Sequence, residues 1–273
     1  MIEKIISGGQ TSTDRAALDA AIELDIPHGG WVPKGRIAED GVIPDKYIMN
    51  EMPTSSYPAH TEQNILDSDG TLIFSHGLLT GGSALTQELA DKHKRPCLHV
   101  DLDVTSAFMA VKMIHAWAEI HNIRTLNVAG SSASKDPYIY KQTKDILEAV
   151  YYFGLSGDTK PESKIAREWK IANLKITEVP KTIGRAVEIL ISNMALKDKV
   201  IMANMQIDEL GTLDLTLGDY IRSRFRLSGN KELLNACHSY TVQNKIHAGD
   251  ASTVIIMALW ETLRKAYKLR VVK

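Results

Sequence analysis

The chain has 273 residues, of which 44% are hydrophobic and 24% charged, and its net charge is −1. A length equal to about 1.8 average domains calls for two domains or one large one. This balance excludes a disordered, coiled-coil or fibrous chain.

The longest apolar stretch, Ala107 to Ala118, is broken by Lys112 and His115 and falls short of the roughly 18 uncharged residues that a membrane span needs. The opening residues Met1 to Ile6 run straight into a strand pattern rather than a secretory leader. Two cysteines, Cys97 and Cys237, are too few for a disulfide framework or a four-cysteine zinc site. A cytoplasmic protein with reduced thiols and no membrane association is expected.

The near-zero net charge hides an asymmetry. Residues 1–155 hold 13 basic and 20 acidic side chains, and residues 156–273 hold 19 and 13. Thirteen of the 18 glycines lie before Thr159. The shift marks a domain boundary near the middle, with residues 1–155 as one domain, 156–180 as a linker and 181–273 as a second domain. Opposite charge suits either docking of the two halves or an anionic partner for the basic half.

In chain order, Glu3 to Ser7 reads as a strand and Asp14 to Leu24 as a helix. Ile26 to Tyr57 is rich in glycine and proline and reads mostly as long loop, with room for one short strand. Gly70 to Ser75, Pro96 to Asp101 and Arg124 to Ala129 are further apolar strand runs, followed by helices near Ala84 to His93, Thr105 to His121 and Tyr138 to Phe153. Strands separated by single helices require crossovers, so the expected fold class is α/β, a Rossmann-like doubly wound parallel sheet. Beyond the linker, Thr182 to Asn193, Asp208 to Phe225, Lys231 to Ser239 and Ala251 to Tyr267 show helical spacing, which predicts a small all-α domain.

Three glycine-bearing loops each follow a strand and precede a helix. The first contains Ser7, Gly8, Gly9, Gln10, Thr11 and Arg15, the second Gly81, Gly82 and Ser83, and the third Gly130 and Ser131. In an open α/β sheet such loops gather at the carboxyl edge of the strands, where ligands bind. Glycines there admit an anion close to backbone N–H groups, and the following helix adds partial positive charge, so a phosphate is the favoured ligand. None of the loops matches a Walker A or G-x-G-x-x-G pattern. A plain helix start competes for the first loop, because Thr11 and Asp14 have the spacing of a capping box. In the loop from Gly29 to Gly41, Lys34 and Arg36 offer cations for a phosphate and Trp31 a stacking surface for a planar heterocycle, against the alternative of a surface loop with internally paired charges.

Ser7-Gly8-Gly9-Gln10-Thr11 with Asp14 to Asp19, Gly30-Trp31 with Pro33 to Arg36 and Ala38 to Gly41, Asp67 to Ile73, Thr80 to Ser83, Asn127 to Gly130 and Ser134-Lys135 closely resemble the molybdenum cofactor carrier family. The resemblance runs to about residue 154. It implies a Rossmann-like homo-oligomer that holds the phosphate of the molybdenum cofactor (molybdopterin) on its glycine loops, any metal arriving inside the pterin ligand; a molybdoenzyme or another anionic partner would suit the basic second half. The family usually has glycine at Ser12, cysteine at Val32 and an arginine at Ser131-Ser132. The wider fold group resembles lysine-decarboxylase-like phosphoribohydrolases, whose loop corresponds in spacing to Thr80, Gly81, Gly82 and Glu88.

In the second half, Leu217 to Arg222, Asn230 to Leu234 and His247 to Ser252 resemble a helical domain of uncharacterised function. Arg222, Arg224 and Arg226 form either a basic patch or a solvated helix face. His247 and Asp250 read as a capping pair rather than metal ligands. The remaining histidines are scattered, so no protein-ligated metal is expected, and there is no G-x-S-x-G elbow. Duplex DNA binding lacks both charge and motif.

The leading expectation is a binding protein for a phosphorylated heterocycle, the molybdenum cofactor or a nucleotide phosphate, with no catalytic residue. The alternative is a nucleotide or nucleoside-phosphate hydrolase using Glu88 with Arg15 or Arg36, and a third reading makes the helical half an interaction module.

Overall fold

A computed structural model describes residues 1–154, 179–244 and 251–267. The chain divides into two compact units, Met1–Gly154 and Leu155–Lys273. The expected linker lies outside the described residues apart from its last two positions, as do His247 and Asp250.

The first unit is built on a five-stranded sheet. Strands β1 (Lys4–Ser7), β2 (His28–Gly29), β7 (Gly70–Ser75), β8 (Cys97–Asp101) and β9 (Thr125–Gly130) pair in the order β2-β1-β9-β7-β8, all in parallel. Parallel neighbours need crossover helices, and these cover both faces of the sheet. Helices α1 (Thr13–Glu23), α5 (Ile139–Gly154) and α4 (Ala107–Ile120) pack side by side, and α2 (Tyr57–Leu66) packs on α3 (Gly82–Lys92). Every residue of β7 is consequently buried, which is why Gly70 to Ser75 reads as a continuous apolar run rather than an alternation.

The expected strands and helices of this unit occur within one or two residues of their predicted limits. The segment from Ile26 to Tyr57 differs. It holds not one short strand but five two-residue ones: β2, β3 (Trp31–Val32), β4 (Ile37–Ala38), β5 (Gly41–Val42) and β6 (Asn50–Glu51). Strand β3 pairs with β6 in parallel, and β4 with β5 as an antiparallel hairpin. Pairs this short carry no periodicity. They are fixed instead by a small core of Leu18, Val32, Ala38, Ile43 and Tyr47 and by Gly30, where a Cβ would lie 2.1 Å from the Ser7 carbonyl oxygen. Helix α2, which the hydrophobic pattern did not announce, starts with a proline in its first turn.

The second unit is helical. Its elements are α6 (Ile183–Asn193), α7 (Leu196–Asn204), a 3₁₀ turn (Ile207–Leu213), a π turn (Asp214–Gly218), α8 (Asp219–Arg224), α9 (Lys231–Asn244) and α10 (Ala251–Tyr267). Thr182 caps α6 by accepting the Arg185 N–H, 3.2 Å. Leu190, Met202, Leu217, Ile221, Phe225, Leu259 and Leu263 share one core. The predicted single helix Asp208 to Phe225 is three consecutive helical pieces. Arg222 spans the break by donating to the Asp214 carbonyl and carboxylate, both 2.8 Å, and to Asp219, 2.7 Å. Its guanidinium therefore belongs to the fold rather than to a basic patch, whereas Arg224 and Arg226 are exposed. No described helix is long and apolar enough to cross a membrane.

Candidate functional site

The carboxyl ends of β1, β7 and β9 feed the three glycine loops, and the loops open onto one cleft of about 280 Å³. Gly8, Gln10 and Asp14 come from the first loop and α1; Thr80, Gly82, Ser83 and Thr86 from the second loop and α3; Asn127 to Ser132 and Lys135 from β9 and the third loop. Helix α2 supplies Tyr57, His60, Thr61 and Asn64.

The donors of the second loop are open. Ser83 Oγ donates to the Thr80 carbonyl, 2.9 Å, and Thr86 Oγ1 to the Gly82 carbonyl, 2.9 Å, so these hydroxyls are spent locally. The backbone N–H groups of Gly82, Ser83 and Ala84 have no partner among the described residues, as expected of the first turn of a helix. A Cβ on Gly81 would lie 2.8 Å from Lys135 Nζ, which sets this ammonium beside the same helix end. Lys135 has no ion-pair partner among the described residues. Aligned N–H groups, helix dipole and ammonium together concentrate positive potential at this helix end.

The first loop is already occupied by the chain itself. Asp14 accepts the Gln10 N–H, 3.2 Å. Burial pushes its carboxyl up to about 7, opposed by the N–H groups of Gln10 and Gly8 and by the Arg15 charge. The predicted capping box is absent: α1 begins at Thr13, and the cap position is Ser12 with no side-chain cap bond. Thr11 instead donates to Glu39, whose carboxylate also accepts the N–H, 3.1 Å, and hydroxyl, 2.6 Å, of Ser134. The Ser134 and Thr11 hydroxyls hold Glu39 down at about 2. The hairpin β4-β5 is thereby strapped across the first and third loops.

His60 is a second buried group in the cleft. Burial lowers its imidazole to about 4, against the Ser56 backbone, which favours the charged ring. Its Nδ1 is buried with no hydrogen-bond partner among the described residues.

Of the residues expected to bind ligand, Gly8, Gln10, Gly82, Ser83 and Gly130 line the cleft, while the rest lie outside its lining with other roles. Ser7 Oγ donates to the Val128 carbonyl, 2.6 Å, across two strands. Gly9 packs near Ile43 and Val32, and Gly81 precedes α3. Arg15 pairs with Asp40, 2.7 Å, and the Gly9 carbonyl, 3.3 Å. Trp31 Nε1 donates to Asp67, 2.7 Å. Arg36 holds its own loop by donating to the carbonyls of Pro44, 3.2 Å, and Tyr47, 3.1 Å. Lys34 is exposed, and so is Glu88, on α3 away from the lining. Lys135, His60 and Tyr57 are the side chains that the pattern of glycines passed over. Tyr57, His60, Thr61 and Asn64 stand three and four apart, a polar stripe of helical period.

Two family models match the chain, one over the parallel-sheet unit and one over the helical unit. Residues 5–151, more than half of the chain, match the circularly permutated YpsA SLOG family, and the chain belongs to that family. Residues 179–263 match a domain of unknown function, DUF6794. The chain is similar to a crystal structure titled "putative molybdenum carrier protein" from Syntrophus aciditrophicus SB, with 59% identity over 55% of this chain and 94% of that one and a TM-score of 0.54. No curated protein matches.

Two stability measurements check this description. Ser12 has φ 67° and ψ −113°, a conformation that favours glycine and costs other residues about 1–3 kcal/mol. Ser12→Gly should therefore melt higher than Ser12→Ala, which keeps the strain and also loses the bond from Ser12 Oγ to the Asp136 carbonyl; equal midpoints would contradict the strain. Asp14, raised in the folded chain and ordinary in the unfolded one, keeps a proton that the unfolded chain releases between the normal carboxylate range and about pH 7. Its contribution is full below that window and lost as pH rises through it. The midpoint should fall less between pH 5 and pH 8 in Asp14→Asn than in wild type, and parallel profiles would refute the raised carboxyl.

Proposed function

We propose that the first unit is a binding module for a phosphorylated small molecule, with the phosphate on the first turn of α3 and Lys135 and the remainder of the ligand along Gln10, Tyr57 and Thr61. The observation that carries this reading is the trio of N–H groups at Gly82, Ser83 and Ala84 beside the Lys135 ammonium, none of which has a partner among the described residues. Three main-chain donors and one cation match the oxygens of a terminal phosphate, and charge-assisted bonds to them contribute about 1.5–3 kcal/mol each.

The name of the similar solved protein makes the molybdenum cofactor the first ligand to test. What that ligand asks of the chain is a phosphate seat and a wall for a heterocycle, and the cleft has groups suited to both. Among the described residues no three His, Cys, Asp or Glu side chains gather to hold a metal, so the cargo would keep its own metal ligands. A nucleotide phosphate makes the same demands. On the carrier reading, copies of the chain associate, and the basic second unit receives an anionic partner such as a molybdoenzyme. Hydrolysis through Glu88 has no geometric support, because that carboxylate is exposed outside the cleft lining.

Thermal denaturation with molybdenum cofactor, AMP, ribose 5-phosphate and inorganic phosphate tests the reading. A ligand at a hundred times its Kd stabilises the folded state by about 2.7 kcal/mol, a rise of several degrees. Lys135→Ala should weaken binding at least tenfold, while Lys34→Ala and Arg36→Ala leave the affinity of the ligand unchanged once the variants are shown to be folded. A shift that survives Lys135→Ala intact, or no shift with any of the four, would overturn the assignment.

A further inference from the structure

The phosphate seat and the ligand path along Gln10, Tyr57 and Thr61 leave two further cleft-lining side chains, Asp14 and His60, without a task. Asp14 is only 8% exposed and His60 4%. The two come from different helices and converge: a Cβ placed on Gly8 would lie 2.9 Å from Asp14 Oδ2 and 3.4 Å from His60 Nε2. Both groups therefore reach one small volume beside Gly8, in the cleft wall.

Neither is satisfied as it stands. A carboxylate has about four lone-pair sites; the Gln10 N–H at 3.2 Å occupies one on Oδ2 and the Gly8 N–H also favours the ionised group, which leaves acceptor capacity to spare. The Ser7 hydroxyl beside it gives its own proton to Val128. No ion pair neutralises Asp14 among the described residues, and Arg15, next in sequence, is committed to Asp40 and Gly9. His60 turns Nε2 toward the Gly8 volume, while its Nδ1, elsewhere on the ring, is buried with no hydrogen-bond partner among the described residues. Buried polar groups with spare capacity are costly unless something fills it. What fits beside a carboxylate and a neutral imidazole is a hydrogen-bond donor.

We propose that Asp14 and His60 form a second subsite that selects phosphorylated ligands carrying N–H or O–H donors remote from the phosphate, with Asp14 accepting the donor. The proposal rests on the phosphate seat described above and adds the ligand class. Inorganic phosphate satisfies the seat and leaves Asp14 unaddressed. A sugar phosphate or a phosphorylated amino-heterocycle satisfies both ends, and a site built around such a donor rejects ligands that lack it, because its buried acceptor is then left unpaired. The titratable groups beside this carboxyl are Arg15 on its own helix and His60 from α2, and Lys135 from the third loop lines the same cleft. A donor that binds Asp14 favours its ionised form, so affinity for a donor-bearing ligand increases as pH rises through neutrality.

Calorimetric titration of the full chain with inorganic phosphate, ribose 5-phosphate and GMP tests this, in wild type, Asp14→Asn, His60→Gln and Lys135→Ala. At least one of the two organic phosphates should bind wild type ten or more times tighter than inorganic phosphate. Asp14→Asn should erase that preference, and its pH dependence between 6 and 8, while inorganic phosphate binds as before. His60→Gln, which leaves Asp14 in place, should reduce the preference in part. If Asp14→Asn binds the organic phosphate as tightly as wild type, or if wild type prefers neither organic phosphate over inorganic phosphate, the second subsite is refuted. Unchanged binding of all three in Lys135→Ala would instead refute the phosphate seat, so the two failures are distinguishable.

Discussion

A parallel sheet places every strand's carboxyl end on the same edge, and crossover helices must bury both of its faces. In the first unit this constraint joins β1, β7 and β9, which are far apart in sequence, as neighbours in the order β1-β9-β7. Their following loops then have nowhere to go but a common rim. The cleft is a consequence of that arrangement: glycines at the strand ends keep side chains out of it, and the helix starts aim backbone donors along its walls.

Most of the donors on this rim are already held by the chain's own acids. Asp14 occupies the first loop, Glu39 ties the hydroxyls of Thr11 and Ser134, and Asp136 accepts the N–H groups of Tyr138 and Ile139 at the start of α5. Internal carboxylates at helix starts stabilise loops in the same way that a bound anion would. Against that background the uncapped start of α3, with Lys135 beside it, stands apart. The contrast between filled and open helix ends is what singles out the start of α3 as the proposed seat.

The α/β class was legible in the sequence because fully buried strands such as Gly70 to Ser75 and amphipathic helices such as Tyr138 to Phe153 write their environment into composition. The paired two-residue strands between Ile26 and Tyr57 were not, because they are held by tertiary contacts around Gly30 and Ile43 rather than by local pattern. Helix α2 escaped for the opposite reason: its cleft-facing stripe is polar, and hydrophobic periodicity is blind to polar stripes. The glycine loops do gather at the carboxyl edge of the sheet, where they border the cleft. They did not reveal which cation reaches it, since Arg36 and Lys34 look equivalent to Lys135 until Arg36 is seen bonded to its own loop carbonyls and Lys34 outside the cleft lining. Glycine identifies where backbone can approach a ligand, but charge placement depends on the fold.

The central claim is that ligand phosphate sits on the first turn of α3. Amide-resolved NMR of the deuterated chain during titration with ribose 5-phosphate addresses it directly, because a phosphate on those N–H groups must move their resonances. The account predicts large, saturable shifts at Gly82, Ser83 and Ala84, with Lys34 and Arg36 unmoved. Shifts confined to the loop around Lys34 and Arg36, or to Gly8 and Gln10, with residues 82–84 silent, would contradict it.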